Sequence, residues 1–255
     1  MTIKTAVLNG VYTIEIARPE KKNALTSEMY LGMAEGLRNA QADGAVRSVL
    51  ITGQPGIFTS GNDIEDFAKR SGGSTAVSPA RAFMDALIGC DKPVIAAVTG
   101  AAIGIGTTLL LHCDFVYVSD EARLVMPFVG LGLVPEFASS LLIPQLMGQR
   151  KAAEKLLLGD PFTGAEAVEC GIANAVLPAA EVAPHARRVA ERFNTLPPGA
   201  IRATKKLMRG RLSSELLKTI DAENAVFAAQ LQSPEAKEAF SAFFQKRKPD
   251  FSQFS

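Results

Sequence analysis

Three glycine-bearing segments hold the residues best suited to chemistry. The first is Phe58-Thr59-Ser60-Gly61-Asn62-Asp63-Ile64, directly after a buried strand and a Gly-containing loop. Gly61 permits a tight turn, Asp63 can cap a helix beginning at Ile64, and such a turn leaves the N–H of Asn62 pointing into open space. The second runs from Gly100 to Thr108, follows another buried strand and opens an apolar helix over 107–113. A helix start presents unpaired N–H groups and the positive end of the dipole. Small glycines let a ligand approach that backbone, so the segment suits an anion or an oxyanion formed in a reaction. No Gly-Lys-Ser/Thr follows, and the third glycine of a dinucleotide fingerprint is missing. The third segment, Pro127 to Ser140, contains Glu136, the one carboxylate between Glu121 and Glu154. Glu136 is set among Leu133, Val134, Phe137 and Ala138. It is either a first-turn glutamate complementing a helix dipole or a base in an apolar pocket, its pKa raised by desolvation.

These segments need a rigid frame, and the pattern supplies one. Ala6-Val7-Leu8 and the run Val11 to Ile16 flank Asn9-Gly10, a strong hairpin signal. Leu25 to Ala42 has an apolar helical face, with Thr26 or Ser27 as its cap. Buried strands are expected at 48–53, 93–98, 114–118 and 173–177, with helices between them, so the chain is α/β. Residues 71–79 are small and polar and read as a flexible loop between two helices, suited to be a lid. Pro197-Pro198-Gly199 marks a boundary, which divides the chain into a core at 1–195 and a helical region at 196–255. Phe240, Phe243 and Phe244 put an apolar stripe on that tail, which is expected to pack on something.

Composition narrows the class. The chain has 255 residues, 47% of them hydrophobic, enough for one large core. A formal charge of +1 gives no electrostatic footprint for nucleic acid. Cys90, Cys113 and Cys170 are odd in number and widely spaced, which argues against a disulfide framework or a zinc site and for a reducing compartment. The apolar run 94–111 is broken by Gly100, Gly104 and Gly106, so it reads as strand plus helix rather than a membrane span. No apolar signal region follows Met1 and no peroxisomal signal closes the chain, so a cytoplasmic location is expected. Ser60 and Ser139 lack the elbow of a serine hydrolase. His112, His185, Cys113 and Asp114 are read as structural.

Taken in order with Arg18-Pro19-Glu20-Lys21-Lys22-Asn23-Ala24-Leu25, the three segments resemble the crotonase (enoyl-CoA hydratase/isomerase) superfamily across essentially the whole chain. Ser60-Gly61-Asn62-Asp63, Pro135-Glu136 and Ser139-Ser140 are similar to its peroxisomal-type Δ3,Δ2-enoyl-CoA isomerases. The resemblance implies a spiral of ββα units with a C-terminal helical trimerisation region, and a homotrimer or hexamer. It implies an acyl-CoA thioester substrate, its carbonyl oxygen held by the N–H groups of Asn62 and Ile105. Arg18, Lys21 and Lys22 fall where family members contact the CoA phosphates and adenosine. Ala24, Ser60, Gly61, Asp63, Ile64 and Gly104 fall along the same crevice.

The departures bear on the reaction. The two glutamates with which hydratases activate water fall at Thr108 and Phe128, and neither is a carboxylate. Glu136 falls where the isomerases carry a single base. The expected reaction is therefore a double-bond shift from 3-enoyl-CoA to trans-2-enoyl-CoA, as in β-oxidation, with no metal and no cofactor beyond the coenzyme A of the substrate. Hydration remains an alternative, with Glu65 or Asp66 as the carboxylate. So does another crotonase reaction, or acyl-CoA binding without turnover.

Overall fold

The computed structural model describes residues 2–69 and 78–254. The chain opens with a hairpin of β1 (Ile3–Leu8) and β2 (Val11–Ile16). Leu8 pairs with Val11, which leaves a two-residue turn. Asn9 and Gly10 both take positive φ there, 49° and 70°, as a type I′ turn requires. Helix α1 (Ser27–Ala42) follows, capped by the Thr26 side chain.

From here the chain winds as a spiral. β3 (Ser48–Thr52) is followed by β4 (Ile57–Thr59) and helix α2 (Ile64–Lys69), and then by α3 (Pro79–Gly89). The next turn is β5 (Val94–Val98), β6 (Ala101–Ile103) and helix α4 (Ile105–Thr108), which tightens into a 3-10 turn at Leu109–His112. The helix expected at 107–113 thus begins two residues earlier. A third turn has β7 (Phe115–Ser119), β8 (Arg123–Val125) and the long helix α5 (Ser139–Leu157), broken at Gly148. β9 (Phe162–Thr163), α6 (Gly164–Glu169), β10 (Ala175–Leu177) and α7 (Ala179–Arg192) complete the spiral.

Each turn contributes one strand to each of two sheets. The larger has the order β1-β2-β3-β5-β7-β10 and the smaller β4-β6-β8-β9. Alternation along the strands divides the core. Val49 and Ile51 face the main core with Met29, Met33 and Leu37 of α1, whereas Leu50 faces Val182, Ala186 and Ala190 of α7 on the opposite side. A fully buried Leu or Ile contributes roughly 1.5–3 kcal/mol, so both helices are pinned to the sheet by their apolar faces.

The tail is α8 (Pro198–Gly210), α9 (Ser213–Gln230) and α10 (Pro234–Phe244). Lys205 Nζ and Arg209 of α8 donate to the two carboxylate oxygens of Asp114 at 2.6 and 2.8 Å. Ala236, Ala239 and Ala242 of α10 are buried. Of the phenylalanine stripe, Phe240 packs on the core while Phe243 and Phe244 stay half exposed, so the stripe is only partly covered within the chain. Residues 71–77 of the expected loop lie outside the described residues; Ser78 caps α3 through the N–H of Arg81 and Pro79 begins it. No helix among the described residues is long and apolar enough to cross a membrane.

Candidate active site

Asn23 organises the first segment. It is fully buried with φ of 54°, accepts from the N–H of Arg18, and donates to the carbonyls of Ile57 and Phe58. That fastens loop 18–25 along β4. Thr59 Oγ1 donates to the Asn23 carbonyl and accepts from the N–H of Gly61. The strand-like bridge that follows uses Leu25 N–H to Gly61 O and Asp63 N–H to Leu25 O, at 2.8 and 2.9 Å. It passes over the N–H of Asn62, which is left for another partner. Gly61 has φ of 88°, and a Cβ there would sit 2.9 Å from the Ile103 carbonyl. Only glycine lets the first segment lie against the second this closely.

The second donor expected from the sequence, the Ile105 N–H, lies at the head of α4. Gly104 donates to Val125 O and accepts from Thr107 and Thr108. Ile105 is the first helical residue, where N–H groups lack intrahelical partners. A Cβ on Gly106 would meet Thr59 Cγ2 at 2.5 Å, so this glycine too holds the two segments together.

Asp63 anchors the turn. One oxygen accepts from the Asp66 N–H and caps α2; the other accepts from Arg18 at 2.6 Å. Burial pushes its pKa up, but the Arg18 hydrogen bond, the Asp66 N–H and the Arg18 charge outweigh it, and Asp63 ends below its ordinary value. Arg18 also donates to the Ala24 carbonyl. Its guanidinium therefore braces the loop.

Glu136 lies outside any helix or strand, three residues ahead of α5, not in a helical turn. It is 5% exposed, and its Oε1 is buried without a hydrogen-bond partner. Burial, and then the nearby charge of Glu223, raise its pKa from 4.5 to about 8. Phe137 and Ala138 both adopt left-handed backbone, φ 60° and 56°, and turn the chain from Glu136 into α5. His112 supports this turn: its ring stacks on Phe137 at 3.8 Å, and Nε2 lies 2.8 Å from the Phe137 carbonyl. Burial lowers its pKa to about 4, so it is neutral at pH 7.

Glu136 opens into a cavity of about 340 Å³ with Leu25, Tyr30, Asn62, Met84 and Phe227 among its walls. Asp63 and Asp66 also border it, but Asp66 accepts from the N–H and hydroxyl of Ser27. Every carboxylate on this cavity except Glu136 is thus held by donors. An adjoining cavity shares Asn62 and Phe227 and brings in Ser60, Gly61, Ile64, Gly104 and Phe128. Of the other residues read from the sequence, Arg18, Lys21, Lys22, Ala24, Ile105 and Thr108 line neither cavity. Lys21 is exposed and 3.9 Å from Glu65; Lys22 is exposed, with φ of 51°. Thr108 is fully buried, and its hydroxyl has no partner among the described residues.

The sequence reading missed Tyr30 and Glu223. The Tyr30 hydroxyl donates to the Asn62 side-chain carbonyl and so fixes the Asn62 side chain. Glu223 interrupts an apolar face formed by Leu216, Ile220 and Phe227 of α9 and by Leu231 just beyond it, and a carboxylate in such a row is the available signal.

Two sheets wound from repeated strand–strand–helix turns, with a cavity bordered by Asn62 that buries the Glu136 carboxylate, define an α/β protein of the crotonase type. The enoyl-CoA hydratase/isomerase family model matches residues 7–254, and the chain belongs to that family. It is 36% identical over 245 residues to enoyl-CoA delta isomerase 2 of Rattus norvegicus, covering 94% of this chain but 62% of that protein's length. A probable enoyl-CoA hydratase of Bacillus subtilis (strain 168) is 30% identical, with 98% of each chain covered. The structure of OdaA from Pseudomonas aeruginosa superposes with a TM-score of 0.92 at 53% identity, covering 95% of this chain and 98% of that one. Among the described residues no three His, Cys, Asp or Glu side chains gather as metal ligands.

Proposed function

We propose that this protein is a Δ3,Δ2-enoyl-CoA isomerase that shifts the double bond of a 3-enoyl-CoA to give the trans-2-enoyl-CoA. The observation that carries the reading is Glu136: buried, without a hydrogen bond on Oε1, and facing the cavity that Asn62 borders. The thioester carbonyl accepts from the N–H groups of Asn62 and Ile105. Ionised Glu136 takes a C2 proton, and the carbonyl oxygen gathers the charge of the dienolate. A donor to such an oxyanion is typically worth about 3 kcal/mol. Protonated Glu136 then returns the proton to C4. One carboxylate suffices, because the reaction removes and restores one proton and consumes no water.

The same residues disfavour hydration. Thr108 and Phe128 occupy the two positions of the hydratase glutamates and are buried and un-ionisable. Asp66 is held by Ser27, and Glu65 is exposed and beside Lys21. On this reading Lys21 and Lys22 meet the CoA phosphates, and Arg18 and Ala24 act through the shape of the loop they brace. Leu207, Met208, Phe243 and Phe244 of the 196–255 helices are exposed apolar groups that trimer contacts cover. A 3-enoyl-CoA and crotonyl-CoA distinguish the reactions by absorbance. Isomerisation creates the conjugated chromophore from the first; hydration removes it from the second. Tight CoA binding with neither change sinks both and leaves a binding protein.

A further inference from the structure

Helix α5 begins without a local cap. Its N-cap residue is Ala138, whose methyl cannot accept a hydrogen bond, and it is left-handed like Phe137 before it. Two consecutive non-glycine residues in that region are costly and persist only where surroundings hold them. The holder comes from the tail. Glu223 of α9 accepts from the Ala138 N–H at 2.6 Å with one oxygen, and from the Ser140 N–H and hydroxyl at 2.9 and 2.5 Å with the other. It is 7% exposed, and these donors stand 83 to 85 residues away in sequence.

We propose that Glu223 is the positioning residue for Glu136: by capping α5 from α9 it holds the left-handed turn at Phe137-Ala138 that keeps Glu136 facing the cavity. The inference rests on the reading of Glu136 as the base. Glu223 also sets which of two buried carboxylates ionises first. Three donors favour its charged form, whereas Glu136 Oε1 has none. Burial raises the Glu223 carboxyl above its ordinary value against the pull of these donors, and its charge, once formed, opposes ionisation of Glu136. The other groups around the pair do not duplicate this. His112 beneath Phe137 is neutral, Asp63 is paired with Arg18, and Asp66 is held by Ser27. Arg81 of α3, across the cavity, is bound to Asp85 and Asp221.

The test is the ionisation of Glu136, followed in infrared spectra of the intact protein between about pH 5 and about pH 10, with Glu136→Gln assigning the carboxyl band. Glu223→Gln removes the charge and keeps one acceptor; Glu223→Asp keeps the charge and shortens the reach. In Glu223→Gln the midpoint falls by about one pH unit, while in Glu223→Asp it stays near the wild-type value. With 3-enoyl-CoA, kcat falls at least about tenfold in both variants with little change in KM, as for a misplaced base. A merely structural cap would not move the midpoint with the charge. An unmoved midpoint in Glu223→Gln, or wild-type kcat in Glu223→Asp, overturns the proposal. If Glu223→Gln does not fold, kcat and midpoint of Glu223→Asp decide. Absence of isomerisation by the wild type would instead overturn the reaction, and the infrared titration reads the carboxylate pair regardless.

Discussion

Replacing Glu136 by glutamine should stabilise the protein, and increasingly so as pH rises. In the unfolded chain Glu136 ionises near 4.5; in the fold it holds its proton to about 8. Between these values folding must take up a proton, so the fold loses stability as pH rises from about 4.5 to about 8 and no more above that. A displacement of roughly 3.5 pH units at about 1.4 kcal/mol each sets a limit of about 5 kcal/mol. Water admitted around an ionised carboxylate reduces this, and roughly 2–3 kcal/mol is expected. Glutamine escapes the penalty at every pH. Thermal unfolding of the two proteins at about pH 5, 7 and 9 measures it: Glu136→Gln should gain roughly 5–10 °C at the highest pH and little at the lowest. A difference that is constant with pH, or that shrinks as pH rises, would refute the reasoning that burial without a donor holds the proton on Glu136.

Three further substitutions probe the turn that carries the Asn62 N–H. Gly61→Ala puts a Cβ against the Ile103 carbonyl at positive φ. It should cost about 1–2 kcal/mol from handedness alone and lower kcat about 100-fold by displacing the Asn62 N–H, read from the melting temperature and steady-state rates. Asp63→Asn breaks the pair with Arg18 and weakens the α2 cap. Unfolding should become easier by about 2–4 kcal/mol in denaturant titrations at pH 7. Because Asp63 ionises below its ordinary value, that deficit should narrow as pH falls through its titration. Tyr30→Phe releases the Asn62 side chain; kcat/KM should drop about three- to tenfold with a melting temperature close to wild type.

Local chemistry explains what was legible from sequence. The Asn9-Gly10 turn, the cap at Thr26 and the larger sheet follow from turn residues and from apolar runs that, β10 apart, are five or six residues long, signals that need no tertiary knowledge. The smaller sheet was implied only by the ββα resemblance and not by the local pattern, because its strands are two or three residues long and carry no period. The head of α4 sits at Ile105 rather than 107 because Gly104 turns the chain with φ of 57°. Glu136 stood out as a lone carboxylate in an apolar segment, yet its release from α5 depends on two left-handed residues that ordinary sequence patterns do not announce. Glu223 interrupts an apolar row, but its role was not legible: its partners at Ala138 and Ser140 are backbone and a serine far away in the chain.

The central claim is that one carboxylate carries one proton between two carbons. It is tested most directly by a 3-enoyl-CoA deuterated at C2, turned over in ordinary water. The buried position of Glu136 protects the transferred isotope, so deuterium should appear at C4 of the trans-2-enoyl product, and Glu136→Gln should form no product. Complete loss of the label to solvent, or turnover by Glu136→Gln, would contradict the account.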